Sequence, residues 1–557
     1  MSDHQPPSGT PEYLEYGGGS PIPPEPGPPI EPSGGRGRRR AWWIGGGVVL
    51  LLGAGAGAWA ALGFFQQGAQ PAEALPESTI AYLSIDLDPA GGQKIDAFRT
   101  LNKFPAFKDE VGVDSVDDIR RKVGESMLEG TGCTDLTYAH DIDPWLGERA
   151  AAAAVDVGDD SPDLVVVVQV KDEGKARDAF SALKECDQGE DPAGFVVHDG
   201  WAVLAQSQTV ANKVSDAAAD GTLADDATYQ KWTEAVGDAG VINAYAAPDA
   251  GRVLAERLGG FLSPGMSTLS SSSGEVAVPS AYHLATPDDG DNPLTQALSG
   301  FKGAAATLRF TGDGLELAVA ADGSAPQMSE LTGTTGTTGG ELVQRLPDDT
   351  AAAAGVSFPK GWLDRYLDQM SSMFGSGMSK DDAMRELSQE TGLDVPGDLE
   401  TLLGSGVSVS IGNDFDFEAA ENSDAGSGLP MAVTVKGDSA EIEQVLDKIR
   451  AKAGDVPFLG SDSGGGLVAI GPSAEYRQHV LDSGGLGDSD AFTSVVPAAG
   501  NASSLFYVDV DALEPSIKKA AAGDQETLDN VTPLRSLGAS SWTDGDVFKF
   551  SFKLSTN

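Results

Sequence analysis

Three serine–lysine pairs in this 557-residue sequence have the Ser-x-x-Lys spacing, in which a lysine one helical turn away helps to activate a serine nucleophile. A penicillin-binding fold that uses such a pair also requires a Lys-Thr-Gly element, and the sequence contains none. We therefore interpret the three matches as chance occurrences, at Ser181 with Lys184, Ser357 with Lys360, and Ser516 with Lys519.

Histidine is scarce, and the short motifs of metal and phosphate chemistry are missing from the sequence. Neither an HExxH nor a CxxC motif occurs, and there is no GxSxG elbow or GxxxxGK[ST] loop. No two of the histidines after residue 40 lie within one helical turn, at His140, His198, His283 and His479. The sequence predicts no catalytic residue, no cofactor and no metal site, and we do not expect an enzyme.

Acidic clusters are the remaining candidates for chemistry, because hard cations take several carboxylate and carbonyl oxygens. None has the spacing of a helix-loop-helix calcium loop. Three interpretations stay open: a weak calcium site, a carboxylate pair for glycoside cleavage, or solvated acids at turns and strand ends, which we favour. The clusters are Asp86 with Asp88, Asp288 with Asp289 and Asp291, Asp414 with Asp416 and Glu418, and Asp509 with Asp511.

The sequence contains only two cysteines, Cys133 and Cys186. The helical pattern in KARDAFSALKEC places Ala176, Ala179, Phe180 and Leu183 on one stripe, and Cys186 continues this stripe by one step. Exported thiols tend to pair in an oxidising compartment. We predict a disulfide between the two cysteines, with two buried free thiols as the alternative.

Residues 41–65 form the most distinctive stretch, an apolar segment without a charged side chain. It is long enough to cross a hydrocarbon core of about 30 Å as a helix. It follows four arginines and begins with two tryptophans suited to the interface, at Arg36, Arg38, Arg39, Arg40, Trp42 and Trp43. By the positive-inside rule we predict a single-pass anchor in the cell membrane, with a cytoplasmic N-terminus and an extracytoplasmic C-terminal bulk. A cleaved signal peptide is the alternative.

Two features flank or lie within this predicted span. Residues 1–40 are rich in Pro and Gly and poor in apolar side chains, which predicts a disordered cytoplasmic tail. Gly53 and Gly57 form a GxxxG pattern that would allow a weak homodimer, but the span holds so many Gly and Ala residues that we favour a chance match.

The sequence beyond the span is internally duplicated, with seven blocks recurring in the same order. LPESTIAYLSIDLD at 75–88 corresponds to LPDDTAAAAGVSFP at 346–359, and GTLADDATY corresponds to GGLGDSDAF. We predict a linker at 66–74, a first repeat at 75–325, a Gly/Thr-rich linker at 326–345 and a second repeat at 346–557. The linker contains GTTGTTGG, a composition typical of flexible connections.

Each repeat mixes helical patterns with several adjacent strands and hairpins. This mixture predicts an α+β fold, a duplicated module of mostly antiparallel sheet with packed helices, preceded by the membrane helix and the disordered tail. The alternation of Leu308 and Phe310, and then of Leu315, Leu317 and Val319, predicts a strand pair with one buried face.

The LP-x-x-T-x-A-Y start, the following I-D-L strand, the single span and the Pro-rich tail resemble an actinobacterial membrane-anchored family that carries a domain of unknown function numbered 3352. The resemblance extends over most of residues 75–557. This family has no assigned activity, so the resemblance implies no catalytic residue.

The net charge of −47 lies almost wholly after residue 40, since the first forty residues hold five acidic residues and four arginines. Such a field disfavours nucleic acid as a partner. We expect a membrane-anchored binding or scaffold module of the cell envelope, whose partner is an envelope protein or an apolar small molecule. The alternative is an envelope hydrolase with a site assembled from scattered carboxylates and serines.

Overall fold

The computed structural model describes residues 70–86, 92–105, 121, 124–125, 128, 133, 135–159, 161–186, 193–238, 240–253, 300–323, 336–374, 380–416, 420, 428–454, 456–482 and 484–557. Within these ranges the strands form one antiparallel sheet of 16 strands packed with helices. The predicted α+β class with a mostly antiparallel sheet is confirmed.

The first eight strands are β1 (Thr79–Asp86), β2 (Leu146–Val155), β3 (Asp163–Val170), β4 (Gly194–His198), β5 (Trp201–Ala205), β6 (Ile242–Ala246), β7 (Ala304–Thr311) and β8 (Gly314–Asp322). The second eight are β9 (Thr350–Ser357), β10 (Gly406–Gly412), β11 (Met431–Lys436), β12 (Ser461–Gly464), β13 (Leu467–Ile470), β14 (Ser504–Asp509), β15 (Leu534–Asp544) and β16 (Val547–Thr556).

The α-helices of the described ranges are α1 (Gly92–Leu101), α2 (Glu173–Cys186), α3 (Gln208–Asp220), α4 (Ala227–Val236), α5 (Thr338–Gln344), α6 (Trp362–Phe374) and α7 (Lys380–Thr391), followed by α8 (Gly397–Leu403), α9 (Ser439–Ala453), α10 (Ala474–Asp482), α11 (Asp490–Val495), α12 (Val510–Ala520) and α13 (Gln525–Val531). Short 3₁₀ and π turns connect several of them.

The two halves of the sheet have the same strand order. From the middle outward, the first half runs β8, β7, β6, β1, β2, β3, β5, β4, and the second runs β16, β15, β14, β9, β10, β11, β13, β12. The halves join where β8 pairs with β16 in antiparallel register, from Gly314 opposite Ser555 to Asp322 opposite Val547. The two sequence repeats therefore share a single sheet.

Helices cover one face of the sheet along both halves. In the first half, α3 and α4 bury a core around Trp232, Tyr245 and Val214. In the second half, α10 and α11 bury a core around Phe492 and Tyr507. The opposite face is covered near the two ends of the sheet by α2 in the first half and by α9 in the second. Nearer the centre, α1 contacts β7 and β8, and α12 contacts β15 and β9.

The predicted Gly/Thr-rich linker at 326–345 is described only from residue 336 onward. There, residues 338–344 form helix α5, in which Gly339 and Gly340 are buried. A Cβ atom at Gly340 would lie 2.1 Å from the Ala499 carbonyl oxygen, so glycine is present here for close packing. At Gly339 and Gly340, glycine is therefore explained by close contact with the neighbouring backbone.

The predicted linker at 66–74 is also described in part, from residue 70 onward. Pro71–Ala74 form a 3₁₀ turn, and Ala72 and Leu75 are fully buried against the core of the first half. This turn precedes β1 as α5 precedes β9. Each half therefore begins with a packed helical turn upstream of its Leu-Pro pair.

Candidate functional site

The central strands carry their larger apolar side chains on the less buried face of the sheet. In β8, Glu316 and Ala318 are buried, whereas Leu315, Leu317 and Val319 point to the other face and are only half-buried. A water-exposed sheet normally shows the reverse pattern, with polar side chains toward solvent. The predicted strand pair is confirmed. Of its apolar residues, Phe310 is buried, whereas Leu308 and its β8 neighbours are half-buried.

The same inversion continues across the seam into the second half. In β16, Ser551 is 2% exposed, while Phe550 and Phe552 are half-buried on the opposite face. In β14, Phe506 is 45% exposed between the buried residues Leu505 and Tyr507. The phenylalanine side chains thus lie on the less buried face of the sheet, whereas serine and glutamate side chains lie on the covered face.

The strand register aligns these side chains into continuous rows. In one row, Val409 pairs with Ala354, Ala354 with Phe506, and Phe506 with Ala539. The row continues from Ala539 through Phe552, Leu317 and Leu308. We call this surface the open apolar face, defined by Leu315, Leu317, Val319, Ala354, Val409, Phe506, Leu537, Ala539, Phe548, Phe550, Phe552 and Leu554.

The open apolar face offers few hydrogen-bonding groups. The Ser504 and Ser541 hydroxyls, which lie beside Phe550 in the register, bond to each other at 2.7 Å. The backbone N–H and C=O groups of these strands are hydrogen-bonded to the antiparallel strands on both sides. Phe506 and Val409, at 45% and 39% exposure, rank among the exposed large apolar side chains of the described residues. The other ten members of the face are half-buried, so its exposed part centres on these two side chains. Exposed apolar surface is typical of a binding site.

A charged network lies on the covered face directly behind the open apolar face. The Glu316 carboxylate accepts from Arg309 Nε at 2.9 Å and from Ser551 Oγ at 3.0 Å, and Lys553 Nζ is 3.7 Å away. Arg309 also donates to the Asp238 carbonyl. These contacts connect β7, β8 and β16, and they fix the seam that brings the phenylalanines of β16 beside the leucines of β8.

The two cysteines lie in contact but are not bonded in the structure. Cys133 is buried, whereas Cys186 at the end of α2 is exposed, so its predicted place in the buried stripe is wrong. A side-chain hydrogen bond with Cys133, followed by burial, raises the pKa of the Cys186 thiol to about 11. The predicted disulfide stays a prediction, with its two partners already adjacent.

The Ser-x-x-Lys pairs serve the fold. Ser516 Oγ donates to the Phe415 carbonyl at 2.6 Å, and Lys519 Nζ lies 2.9 Å from an Asp416 oxygen, so this pair fastens α12 to the loop after β10. Ser357 Oγ accepts from the Gly339 amide, and Ser181 Oγ donates to the Arg177 carbonyl. None of these serines is hydrogen-bonded to its lysine.

Four of the five described members of the acidic clusters have structural partners, including Asp416 with Lys519. Asp86 is buried with Arg149, Asp509 caps α12 through the Ala512 amide, and Asp511 accepts from Asn557. No group of three or more histidine, cysteine, aspartate or glutamate side chains suited to a metal ion occurs in the described ranges. The remaining members, Asp88, Asp288, Asp289, Asp291 and Glu418, lie outside the described residues, as does His283.

The predicted membrane segment also lies outside the described residues. This applies to the span at 41–65 and to its topology determinants, namely Arg36, Arg38, Arg39, Arg40, Trp42, Trp43, Gly53 and Gly57. Among the residues that are described, no helix has the length and apolar character needed to cross a bilayer.

Comparison with known proteins identifies the family. The model of a family described as "Protein of unknown function (DUF3352)" matches residues 43–411. The chain belongs to the DUF3352 family. The match begins inside the predicted span and ends in β10, so it includes the first half of the sheet and the start of the second. No curated protein and no solved structure matches the chain.

Sequence reasoning missed the open apolar face because its side chains form the normal alternation of a half-buried strand. The one available signal was the composition of the alternate positions. In β16, with the sequence VFKFSFKLST, lysine and serine alternate with phenylalanine and leucine. Nevertheless, Ser551 of this strand, and Ser536 and Gly538 of the neighbouring β15, face the covering helices. Serine and glycine on a sheet face permit close helix packing, and that role competes with solvent exposure as an explanation.

Proposed function

We propose that this DUF3352 protein is a membrane-anchored, extracytoplasmic binding module whose open apolar face holds the hydrocarbon part of an apolar ligand. The observation that carries the proposal is the inverted polarity of the central strands, with Phe506, Phe550 and Phe552 more exposed than Ser551 and Glu316. Each side chain of this size gains roughly 1.5–3 kcal/mol on full burial. A ligand that covers the face recovers that free energy.

A hydrocarbon fits the open apolar face better than a peptide does. The face presents phenyl, isobutyl and methyl groups, and its two serine hydroxyls are already paired. A peptide laid on it would leave backbone amides and carbonyls without partners, at a penalty of roughly 1–3 kcal/mol for each group. An acyl or isoprenoid chain has no such groups. The high negative charge of the molecule further favours a ligand without an anionic headgroup.

The proposed anchor would hold the face next to its source of ligand. Four residues, 66–69, separate the predicted span from Gln70, and they reach at most about 14 Å when extended. Directly after Gln70, the turn Pro71–Ala74 is packed into the core. The family match starting at residue 43 supports the anchor as a family feature. The proposal thus places the sheet close to the outer surface of the bilayer.

The binding proposal is tested by photolabelling the full-length protein in membranes with a diacylglycerol that carries a photoreactive acyl chain. We expect the double variant Phe506→Ser with Val409→Ser to reduce labelling about tenfold, since about 1.5 kcal/mol of lost apolar contact corresponds to about one decade. Phe458→Ser is the matched control, because Phe458 is 38% exposed and lies outside the face. Equal labelling of the double variant and the control would refute the proposal.

The anchor is tested separately by cell fractionation. Deleting residues 41–65 should release the protein from the membrane fraction, and a protease added to intact cells should remove the C-terminal bulk but leave residues 1–40 protected. Release of the wild-type C-terminal part into the medium would instead support signal cleavage. Such release would show that residues 41–65 do not anchor the protein. Lipid binding by the open apolar face is tested independently by the photolabelling experiment. The absence of enzymatic activity stays a prediction.

A further inference from the structure

The strands β4 and β12 are the two ends of the sheet in the described part of the chain, and side chains cover the edge at β4. The Gln208 side-chain amide accepts from the Phe195 N–H at 3.3 Å and donates to the Phe195 carbonyl at 2.8 Å. Arg177 donates to the Val197 carbonyl at 2.7 Å. The backbone groups that would pair with a further strand are therefore occupied at β4.

The edge at β12 has no such cover. Ser461 pairs with Ile470 of β13, and the Gly471 N–H donates to the Gly460 carbonyl at 2.9 Å. In an antiparallel ladder this pattern turns the N–H and C=O groups of Ser461 and Ser463 away from β13. Within the described ranges, no backbone or side-chain group bonds to these four outward groups. Ser463 is exposed and Ser461 is half-buried, so a further chain can reach them.

The two edges differ because the residue that provides the cover differs between the repeats. Ser207 caps α3 and Ser473 precedes α10 in the same way, since each hydroxyl accepts from the amide three residues later. The next residue is Gln208 in the first half and the exposed Ala474 in the second. Alanine has no side-chain group that can bond to a strand edge. The first half therefore blocks its edge, and the second half leaves its edge open.

A cleft of about 930 Å³ lies along the open edge of β12. Glu443 and Arg450 of α9 line one side of it, and Val456 and Leu459 of the loop before β12 also contribute. Residues directly opposite each other on neighbouring strands project their side chains to the same face of the sheet. Ser461 Oγ accepts from Arg450, so this residue faces α9. A strand added beside β12 would thus project alternate side chains into the cleft.

The charge at this cleft also differs from that of the first half. In α2, Arg177 follows the fully buried Ala176, whereas in α9 Glu443 follows the fully buried Ile442. The second half therefore has a carboxylate at the position from which the first half donates to its own edge.

The two arginines at the β12 edge are already paired. The five N–H groups of Arg450 are all used, in bonds to the Leu459 carbonyl, the Ser461 hydroxyl and the carboxylates of Glu443 and Asp447. Arg477 Nε donates to Asp462 of β12 at 2.8 Å. Three carboxylates thus accompany two arginines, in a molecule of net charge −47. This balance favours basic side chains in the cleft.

We propose that the β12 edge binds an extended basic segment of a partner polypeptide, which adds a strand to the sheet. Hydrogen bonds to the backbone of Ser461 and Ser463 provide affinity, and lysine or arginine at alternate positions provides specificity. A second copy of this chain fits the edge less well, because its β4 edge is covered and its β12 edge would bring like charges together.

The test titrates the full-length protein in detergent, at physiological ionic strength, into a short fluorescent peptide in which lysine alternates with threonine, and measures anisotropy. The peptide should bind the wild type. Ala474→Gln, which introduces the cover of the first half, should weaken binding about tenfold through lost hydrogen bonds to Ser461. Ser463→Pro should have a similar effect, because it removes an outward N–H and leaves the ladder intact. Ala520→Gln, at an exposed alanine of α12, is the matched control and should leave the affinity unchanged.

The same peptide with methyl groups on alternate backbone nitrogens separates strand addition from simple attraction between opposite charges, because it keeps every lysine but loses donors. Equal binding of the methylated and parent peptides would overturn the proposal. Equal binding of the parent peptide to Ala474→Gln and the wild type, or no binding to the wild type, would also overturn it.

Light scattering on the same samples tests the alternative occupant. A dimer that Ala474→Gln dissociates would show that a second copy occupies the β12 edge, and the assignment to a basic segment would be wrong. Phe506→Ser should not affect peptide binding, so the outcome is independent of the lipid proposal.

Discussion

At the scale of single residues, the duplicated fold accommodates a buried ion pair in one half and no charge in the other. Asp86 and Arg149 are paired across β1 and β2, with 3.3 Å between Oδ2 and Nε and less than a tenth of each side chain exposed. The equivalent pair across β9 and β10 is Ser357 with Gly406. The fold therefore forms without an ion pair at this position, but each buried charge, once present, is stabilised by the other.

We expect Asp86→Ala to lower the free energy of unfolding by about 3–5 kcal/mol, because it leaves the Arg149 guanidinium buried without its partner. The double variant Asp86→Ala with Arg149→Met should lose clearly less, since it removes both charges and restores apolar volume. Urea denaturation followed by circular dichroism measures both values. A double variant that loses the sum of the two single changes would contradict the coupling.

Buried tyrosines make the molecule sensitive to alkali. Tyr229 and Tyr245 meet edge to face at 5.1 Å, and Phe492 and Tyr507 repeat this contact in the second half. Burial raises the pKa of Tyr229 to about 12 and also raises that of Tyr245. In the folded protein the neutral form is favoured, so the stabilisation is complete below about pH 10 and is lost as the pH rises toward 12.

Unfolding free energies measured between pH 9 and pH 11.5 should therefore fall, and Tyr229→Phe should make this fall shallower by removing one titrating hydroxyl. Tyr366→Phe is the matched control, because its side chain is 43% exposed. An alkaline slope that Tyr229→Phe leaves unchanged would show that this hydroxyl does not contribute to the pH dependence.

At the scale of the elements, α5 is held by its glycines. A Cβ atom at Gly339 would lie 2.7 Å from the Val356 amide nitrogen, and one at Gly340 would lie 2.1 Å from the Ala499 oxygen. Gly340→Ala should destabilise the protein by about 1–3 kcal/mol through overpacking, although alanine favours a helix by about 1 kcal/mol. Gly174→Ala in α2 is the control, since its nearest neighbour is 3.4 Å away and the change should be neutral or stabilising. Thermal unfolding distinguishes the two.

The strands and the main helices were predictable from sequence because their periodicity is strong. The stripe of Ala176, Ala179 and Phe180 is buried as expected, and α9 buries Ile442 and Val445 in the same way. Burial direction was not predictable in the central strands, because a period of two gives the same alternation whichever face is covered. Glycine at 339 was read as flexibility, since sequence alone does not show that a neighbouring backbone approaches.

The candidate sites were less accessible to sequence analysis than the fold. The open apolar face depends on long-range register, since Val409, Phe506 and Phe552 come from strands far apart in the chain. No local motif encodes this arrangement, so a motif search does not find it.

At the scale of the whole molecule, the β8–β16 pair determines whether the two halves behave as one cooperative unit. Amides of β8 and β16 should exchange with deuterium as slowly as those of β1 and β9, because both strands are paired on two sides. The edge strands β4 and β12 should exchange faster. Exchange mass spectrometry on the full chain measures this. Early exchange confined to β8 and β16 would mean that the halves separate before they unfold.

The binding of a hydrocarbon chain to the open apolar face is tested most directly by replacing Phe506 with the photoreactive residue p-benzoylphenylalanine, in the full-length protein within its native membrane. After illumination, the mass of the peptide that contains position 506 identifies what covers the open apolar face. We expect an adduct with a lipid chain, and no such adduct when p-benzoylphenylalanine replaces Phe458. An adduct with another protein, or with a different segment of this chain, would contradict it.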